Sequence, residues 1–218
     1  MGSTRLPGKV LLKAYGEPLL KHQIERSSHS KFINEIIVAT TTNKEDDPII
    51  ELCKTSAVKY FRGSEPDVLD RFYQCALNFS LEIIVRLTAD DPLQEPEVMD
   101  MVIKEFLESD CDYASNTIKP TYPDGFDVEV FKFSALKSAW LNAKSPYERE
   151  HVTPFIKNHP DIFKLVNVED SLDRSSLYWA VDTQKDYILV KDIIEHLDWV
   201  KPFFKYNHIL DYLESKTK

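Results

Sequence analysis

The chain has 218 residues, with 27 lysines and arginines against 36 aspartates and glutamates, a formal net charge of -9. This length can bury an ample core in one α/β domain. The acid surplus argues against nucleic-acid binding, which needs a cationic face to neutralise phosphates. No run of about 18 apolar residues could cross a membrane and the polar opening lacks the apolar core of a leader, so the expectation is a cytoplasmic protein. Cys53, Cys75 and Cys111 are odd in number, widely spaced and set among apolar neighbours, which fits reduced core thiols rather than disulfides or a zinc site.

The opening, MGSTRLPGKVLL, combines small residues (Gly2, Ser3, Thr4), two cations (Arg5, Lys9) and a Pro-Gly turn. Three of the five glycines, Gly2, Gly8 and Gly16, fall in the first sixteen residues, which points to tight backbone turns. Such a loop just ahead of a helix offers N–H groups, hydroxyls and cations to an anion. It is not a P-loop, because Val10 follows Lys9 where Ser or Thr is required. An ordinary basic loop is the alternative reading.

Helical spacing over 17–28 predicts a helix starting near Pro18, and EIIVATTT from Glu35 reads as a buried strand ending in threonines. A helix follows over 43–57, then a short strand VKYF from Val58, the loop RGSEPD, and a helix from Val68. LEIIVRLTADDP from Leu81 repeats the strand-then-polar-tip design, and a helix covers 96–107. Strands alternating with helices predict right-handed βαβ units and a parallel sheet between helices. Sites in such sheets lie beyond the carboxyl ends of the strands, where Thr40, Thr41, Asp90 and Asp91 fall.

Beyond Asp112 the pattern loosens. DYASN and FDVEVFKF read as strands, the second alternating Phe126, Val128 and Val130 with Asp127 and Glu129 as on a half-covered surface. Helices are expected over 134–143, 147–158, 184–197 and 206–215, with strands FKLVNVE from Phe163 and YWAVDT ending in Asp182. No internal repeat or long linker interrupts the chain.

Asp90 and Asp182 each end an apolar strand-like run, so both should project into one cleft, where paired carboxylates can share Mg²⁺. An Asp after a strand is also a common helix N-cap. PDGFDVEV adds Asp124, Asp127 and Glu129, and SPYEREHVTPF adds Glu148, Arg149, Glu150 and His151. These could read the hydroxyls and carboxylate of a sugar, although strand-edge charges and a solvated helix start account for many such clusters. His151 could act as a base, given its near-neutral intrinsic pKa, or as a hydrogen-bonding or interface residue.

GSTRLPGKVLL resembles the nucleotide-binding signature of cytidylyltransferases that make CMP-activated acidic sugars. The succession IIVATTTN, FRGSEPDVLDRF, VRLTADDPL, YPDGFDVEVF, SPYEREHVTPF and WAVDTQKDY resembles the branch represented by the spore coat polysaccharide protein SpsF, in order over nearly the whole chain. The resemblance implies a single nucleotide-diphospho-sugar transferase domain, Rossmann-like, with a mixed, mainly parallel sheet. It implies transfer of CMP from CTP to an acidic or modified sugar, with Arg5 and Lys9 on the triphosphate and Mg²⁺ on Asp90 and Asp182. Gly2, Ser3 and Thr4, with Thr40, Thr41, Gly63, Ser64, Asp70 and Arg71, would frame the nucleotide. Asp127, Glu129, Glu150 and His151 would face the sugar, and the segment 147–156 would support a homodimer. Members of this group normally open with a central apolar strand leading through Gln-Ala-Arg into the loop, and no such residues precede the loop in this sequence. The expectation is facing unpaired strand edges and a slot in the core. Asp91, where SpsF-like chains often carry Cys, adds negative charge beside Asp90. Two rival readings are a glycosyltransferase on the same fold and a non-catalytic nucleotide-sugar binding protein.

Overall fold

The computed structural model describes residues 1–216. The opening loop closes in a short 3-10 turn, Lys9–Leu11, which Gly8 enters with φ 69°, a left-handed conformation that suits glycine. A two-residue hairpin, β1 (Lys13–Ala14) with β2 (Glu17–Pro18), leads into α1 (Leu19–Ser27). Pro18 sits at the N-cap position of α1 and does not begin the helix. Parallel strands β3 (Ile37–Thr41) and β4 (Lys59–Gly63) follow, linked by α2 (Asp47–Thr55), with Pro48 in its first turn.

The helix α3 (Val68–Asn78) starts at Asp67, whose side chain accepts the Asp70 N–H. Then come β5 (Ile83–Arg86), α4 (Pro96–Glu108), β6 (Tyr113–Ser115), β7 (Glu129–Lys132), α5 (Phe133–Asn142) and β8 (Leu165–Asn167). The second sheet has the order β5-β7-β6-β8, with β7 antiparallel to both neighbours and β6 parallel to β8. Three of its four strands share one direction, so the sheet is mixed, as the resemblance implies, but two of its three pairings are antiparallel because β7 enters against its neighbours, where strand–helix alternation predicts a parallel sheet.

FDVEVFKF departs from its predicted half-covered surface. Only Glu129–Lys132 forms ladder, and Val128, Glu129, Val130 and Phe131 are all buried. The strand is central: Val128 and Val130 meet α4 residues Met99, Val102 and Phe106 on one face, while Phe131 meets Tyr113 and Leu136 of α5 on the other. A strand covered on both faces has no solvent side for alternation to mark.

The single helix expected over 147–158 is two, α6 (Pro146–His151) and α7 (Pro154–Lys157). Pro154 lacks the N–H to continue the first helix. Between them Val152 adopts φ 73° and ψ -58°, and Thr153 N–H donates to the His151 carbonyl at 2.9 Å, a γ-turn rarely taken by a β-branched residue. YWAVDT is not a strand but carries one parallel bridge, Asp124 to Tyr178. The chain continues with α8 (Gln184–Leu197), capped reciprocally by Thr183 and Asp186, and α9 (Tyr206–Lys216).

Among the described residues the β3–β4 pair shares no hydrogen-bonded strand pairing with the four-stranded sheet. A cleft of about 650 Å³ opens among α1, the approach to β3 and the end of α2, lined in part by Ile24, Ile33, Ile36, Leu52 and Val58. All three cysteines are buried and unpaired with one another. No helix among the described residues is long and apolar enough to cross a membrane.

Candidate active site

The end of β5 and the segment before α8 are tied together by their backbones, Val181 N–H donating to the Asp90 carbonyl at 2.8 Å. That bond sets the two aspartates side by side. Lys9 Nζ then lies between them, 2.8 Å from Asp90 Oδ2 and 3.0 Å from Asp182 Oδ1, although the partners are 81 and 173 residues away in sequence. Arg5 reaches the same Asp182 oxygen at 2.8 Å from an otherwise exposed position.

Neither aspartate caps a helix. Thr183 takes the N-cap of α8 and Glu95 occupies that position before α4, leaving both carboxylates free for ion pairs. Asp182 Oδ2 accepts the Tyr178 hydroxyl at 2.5 Å, so the carboxylate is held from both sides. Burial pushes Asp182 up, but Tyr178, Lys9 and Arg5 together hold it below its ordinary value. Burial likewise pushes Lys9 down, and the two carboxylates more than offset it, leaving its pKa raised.

Asp124 joins this group from a loop locked against residues 177–180. Its N–H donates to Leu177 O at 3.0 Å, and Trp179 N–H donates to its carbonyl at 2.7 Å. Gly125, at φ 106°, permits the close approach, since a Cβ there would lie 2.8 Å from Ala180 N. Burial and then the Asp90 and Asp182 carboxylates raise the Asp124 pKa. Asp91, adjacent to Asp90, turns inward and accepts the Thr88 hydroxyl at 2.5 Å.

A second group gathers at the ends of β3 and β4. Asp46 is buried and accepts from the hydroxyls of Thr40 (2.7 Å) and Thr41 (2.6 Å), from Thr41 N–H, and from the Met1 amino group. Burial opposes this charge, but the amine and the hydroxyls hold Asp46 well below the usual carboxylate range. The threonine hydroxyls are thus spent on an internal carboxylate. Gly63 lies against Arg71, where an added Cβ would meet Cγ at 2.8 Å, and Arg71 donates to the Ser64 carbonyl at 2.7 Å. Asp70 accepts from Trp140 Nε1 at 2.8 Å and from Gln74, a structural tie between α3 and α5. In the opening loop Ser3 Oγ accepts Leu6 N–H at 3.2 Å, a Cβ on Gly2 would lie 3.2 Å from Glu65 Oε1, and Thr4 is exposed.

The residues expected to face a sugar divide. Glu129 is buried at the β5–β7 crossing and accepts from Tyr113 and Thr153 hydroxyls, each at 2.6 Å, from Lys157 at 3.4 Å and from Arg86. Burial opposes its charge, yet Arg86, Lys157 and the two hydroxyls lower its pKa to about 2. Asp127 is partly buried and its carboxylate has no partner among the described residues, while its carbonyl accepts from Gln94 Nε2 at 3.2 Å. Glu150 and His151 are exposed on α6, with His151 against the Tyr147 ring, and neither bonds to the Lys9 group. Of the segment 147–156, residues 152–156 are buried within this chain.

Tyr178, Asp46 and the donors around Glu129 escape sequence reading, since their partners lie on other elements. Only Tyr178 leaves a faint mark, a lone aromatic hydroxyl four residues before Asp182.

Asp90 and Asp182 offer hard oxygen donors within 3.0 Å of one cationic nitrogen. Such a pair fits a small divalent cation, with Asp124 supplying further negative potential.

Residues 1–215 match the model of the family described as Cytidylyltransferase. An uncharacterised protein of Methanocaldococcus jannaschii is 42% identical over all of this chain and 88% of its own length. The spore coat polysaccharide biosynthesis protein SpsF of Bacillus subtilis is 33% identical over 89% of this chain and 83% of its own. A cytidylyltransferase structure from Leptospira borgpetersenii superposes with TM-score 0.94 at 32% identity, covering all of this chain and 91% of that one. A lysine shared by two distant aspartates is thus set in a fold that these relatives share, and the chain belongs to the SpsF-like branch of the cytidylyltransferase family.

Proposed function

We propose that the protein transfers CMP from CTP to a hydroxyl of an acidic or otherwise modified sugar and releases pyrophosphate, serving surface polysaccharide synthesis in the cytoplasm. The observation that carries this reading is Lys9 held between Asp90 and Asp182, with Arg5 on the same carboxylate. These are the charges that a metal-chelated triphosphate needs, and family membership supports cytidine as the base.

Asp90 and Asp182 would hold Mg²⁺, which when bound neutralises phosphate oxygens and favours departure of pyrophosphate. Lys9 and Arg5, now paired with these carboxylates, would instead hold the triphosphate. Lys9 is only 13% exposed in its side chain, so its charge acts at low effective dielectric on the leaving group. Tyr178 keeps Asp182 oriented throughout. Gly63, Ser64 and Arg71, at the far end of β4, frame the nucleoside. Tyr147, Glu150 and His151 are the exposed part of the segment to which we assign a homodimer contact.

The test is a pyrophosphate-release assay with CTP, Mg²⁺ and a panel of neutral, amino and 2-keto acidic sugars. CTP-dependent release with at least one acidic sugar is expected. Consumption of a nucleotide-sugar without pyrophosphate would instead identify a glycosyltransferase, and calorimetric binding of CTP without turnover would identify a binding protein.

A further inference from the structure

Nucleotidyl transfer needs a group to take the proton of the attacking hydroxyl, and most acidic side chains of this region are engaged elsewhere. Lys9 occupies Asp90 and Asp182, Thr88 occupies Asp91, and Glu129 accepts from four donors. Asp124 is exposed to solvent, and His151 lies exposed on α6. Asp127 differs from all of these. It is partly buried, and among the described residues its carboxylate enters no hydrogen bond or ion pair, so both oxygens are available.

Its position is rigid. Asn116 donates to the Phe126 carbonyl at 2.8 Å and accepts Val128 N–H at 2.9 Å, while Gln94 donates to the Asp127 carbonyl at 3.2 Å. The loop is further pinned to residues 177–179 through Asp124. Asp127 therefore stands three residues from Asp124, whose charge feels Asp90 and Asp182, and two residues from Glu129 with its cations Arg86 and Lys157. The charges that reach the Asp127 carboxylate are those of Asp124 and Glu129, opposed by Lys157 and Arg86, and its own charge reaches Asp91 beside Asp90.

We infer that Asp127 is the general base that accepts the proton of the sugar hydroxyl. This role rests on the cytidylyl-transfer reading. In the step, the O–H proton moves to an Asp127 oxygen and the hydroxyl oxygen forms its bond to the α-phosphorus. The bond from that phosphorus to the β-phosphate oxygen breaks, and pyrophosphate leaves with the electron pair. The groups facing Asp127 suit the task. Burial, then the carboxylates of Asp124 and Glu129, lift its pKa to about 6, while Lys157 and Arg86 pull the other way and Asp91 lies within reach of its charge. A base of that strength is deprotonated at neutral pH and still accepts a proton readily.

The experiment compares Asp127→Asn and Asp127→Glu with wild type, using CTP, Mg²⁺ and the sugar that gives pyrophosphate release, with circular dichroism to confirm folding. Asp127→Asn should lower kcat on the order of 10²-fold or more. Its calorimetric Kd for CTP should stay within about twofold, since no triphosphate contact is removed. The acid limb of the wild-type pH profile, with an apparent pKa of about 6, should disappear, and Asp127→Glu should restore part of the rate. An Asn variant that keeps wild-type kcat and the acid limb overturns the assignment, and so does a loss confined to the KM of the sugar, which marks a binding contact. Wild type that releases no pyrophosphate from CTP with any sugar sinks the parent reading and this one together, whereas an active wild type with an indifferent Asn variant sinks this one alone.

Discussion

Asp182 and Glu129 are both carboxylates ringed by cations and hydroxyls, yet they are built for different ends. Glu129 is 4% exposed and accepts from Tyr113, Thr153, Lys157 and Arg86, so its oxygens are saturated within the chain even though Arg86 Nε has no partner among the described residues. Asp182 is reached by Lys9, by the largely exposed Arg5 and by Tyr178, in a group where the Asp124 carboxylate has no partner among the described residues. A closed network rigidifies a core; an open one with surplus negative charge can trade its cations for a ligand. A carboxylate thus suits architecture at one crossing and, in the proposed reaction, chemistry at the other.

Breaking the closed network should have the largest effect on folding. Glu129→Ala leaves Arg86 buried without its partner and should cost about 3–5 kcal/mol in urea unfolding, by the scale for broken buried pairs. Lys9→Ala should do the reverse, with turnover falling on the order of 10²- to 10³-fold while the unfolding midpoint moves little. Comparable stability losses in both variants would erase the distinction between the two centres.

The pH dependence sharpens the same comparison. Glu129 has its pKa lowered to about 2, so its contribution to stability is present above the unfolded value and is lost as pH falls through the acid range. Asp127 has its pKa raised to about 6, so the folded state binds the extra proton and stability declines as pH rises towards that value. Asp127→Asn should therefore raise the thermal midpoint at pH 8, with the gain vanishing below about pH 4, where the carboxyl is protonated in both states. A stabilising substitution that abolishes turnover is the pattern expected of a site residue held at a cost to the fold. The smallest effect should come from Tyr178→Phe. Loss of one hydrogen bond to Asp182 should lower kcat/KM by about threefold to tenfold, and no change would mean that Lys9 and Arg5 orient the carboxylate unaided.

The local pattern carried much of the architecture. Strand β3 and its threonine tip, α3 with its Asp67 cap, and α8 after Asp182 are readable because periodicity and capping depend on neighbours within a few residues. The alternation of FDVEVFKF misleads because burial of β7 depends on α4 and α5 covering both of its faces. The break at Val152 is legible only as Pro154, not as the strained turn that sets Thr153 on Glu129. In the candidate site, Lys9, Asp90 and Asp182 stand out by residue type at loop ends, but nothing local shows that Asp127 has no partner among the described residues while Glu129, two residues on, is saturated.

By itself the sequence determined the alternation of strands and helices, the acidic balance and the cationic opening loop, because these follow from composition and short-range periodicity. Only the tertiary structure decided which carboxylates meet which cations. The backbone bond from Val181 to Asp90 brings the two aspartates together, and Lys9, 81 and 173 residues away from them in sequence, meets both there. Charge pairing falls off over a few ångströms, so its outcome is fixed by distance in space, which sequence spacing does not measure.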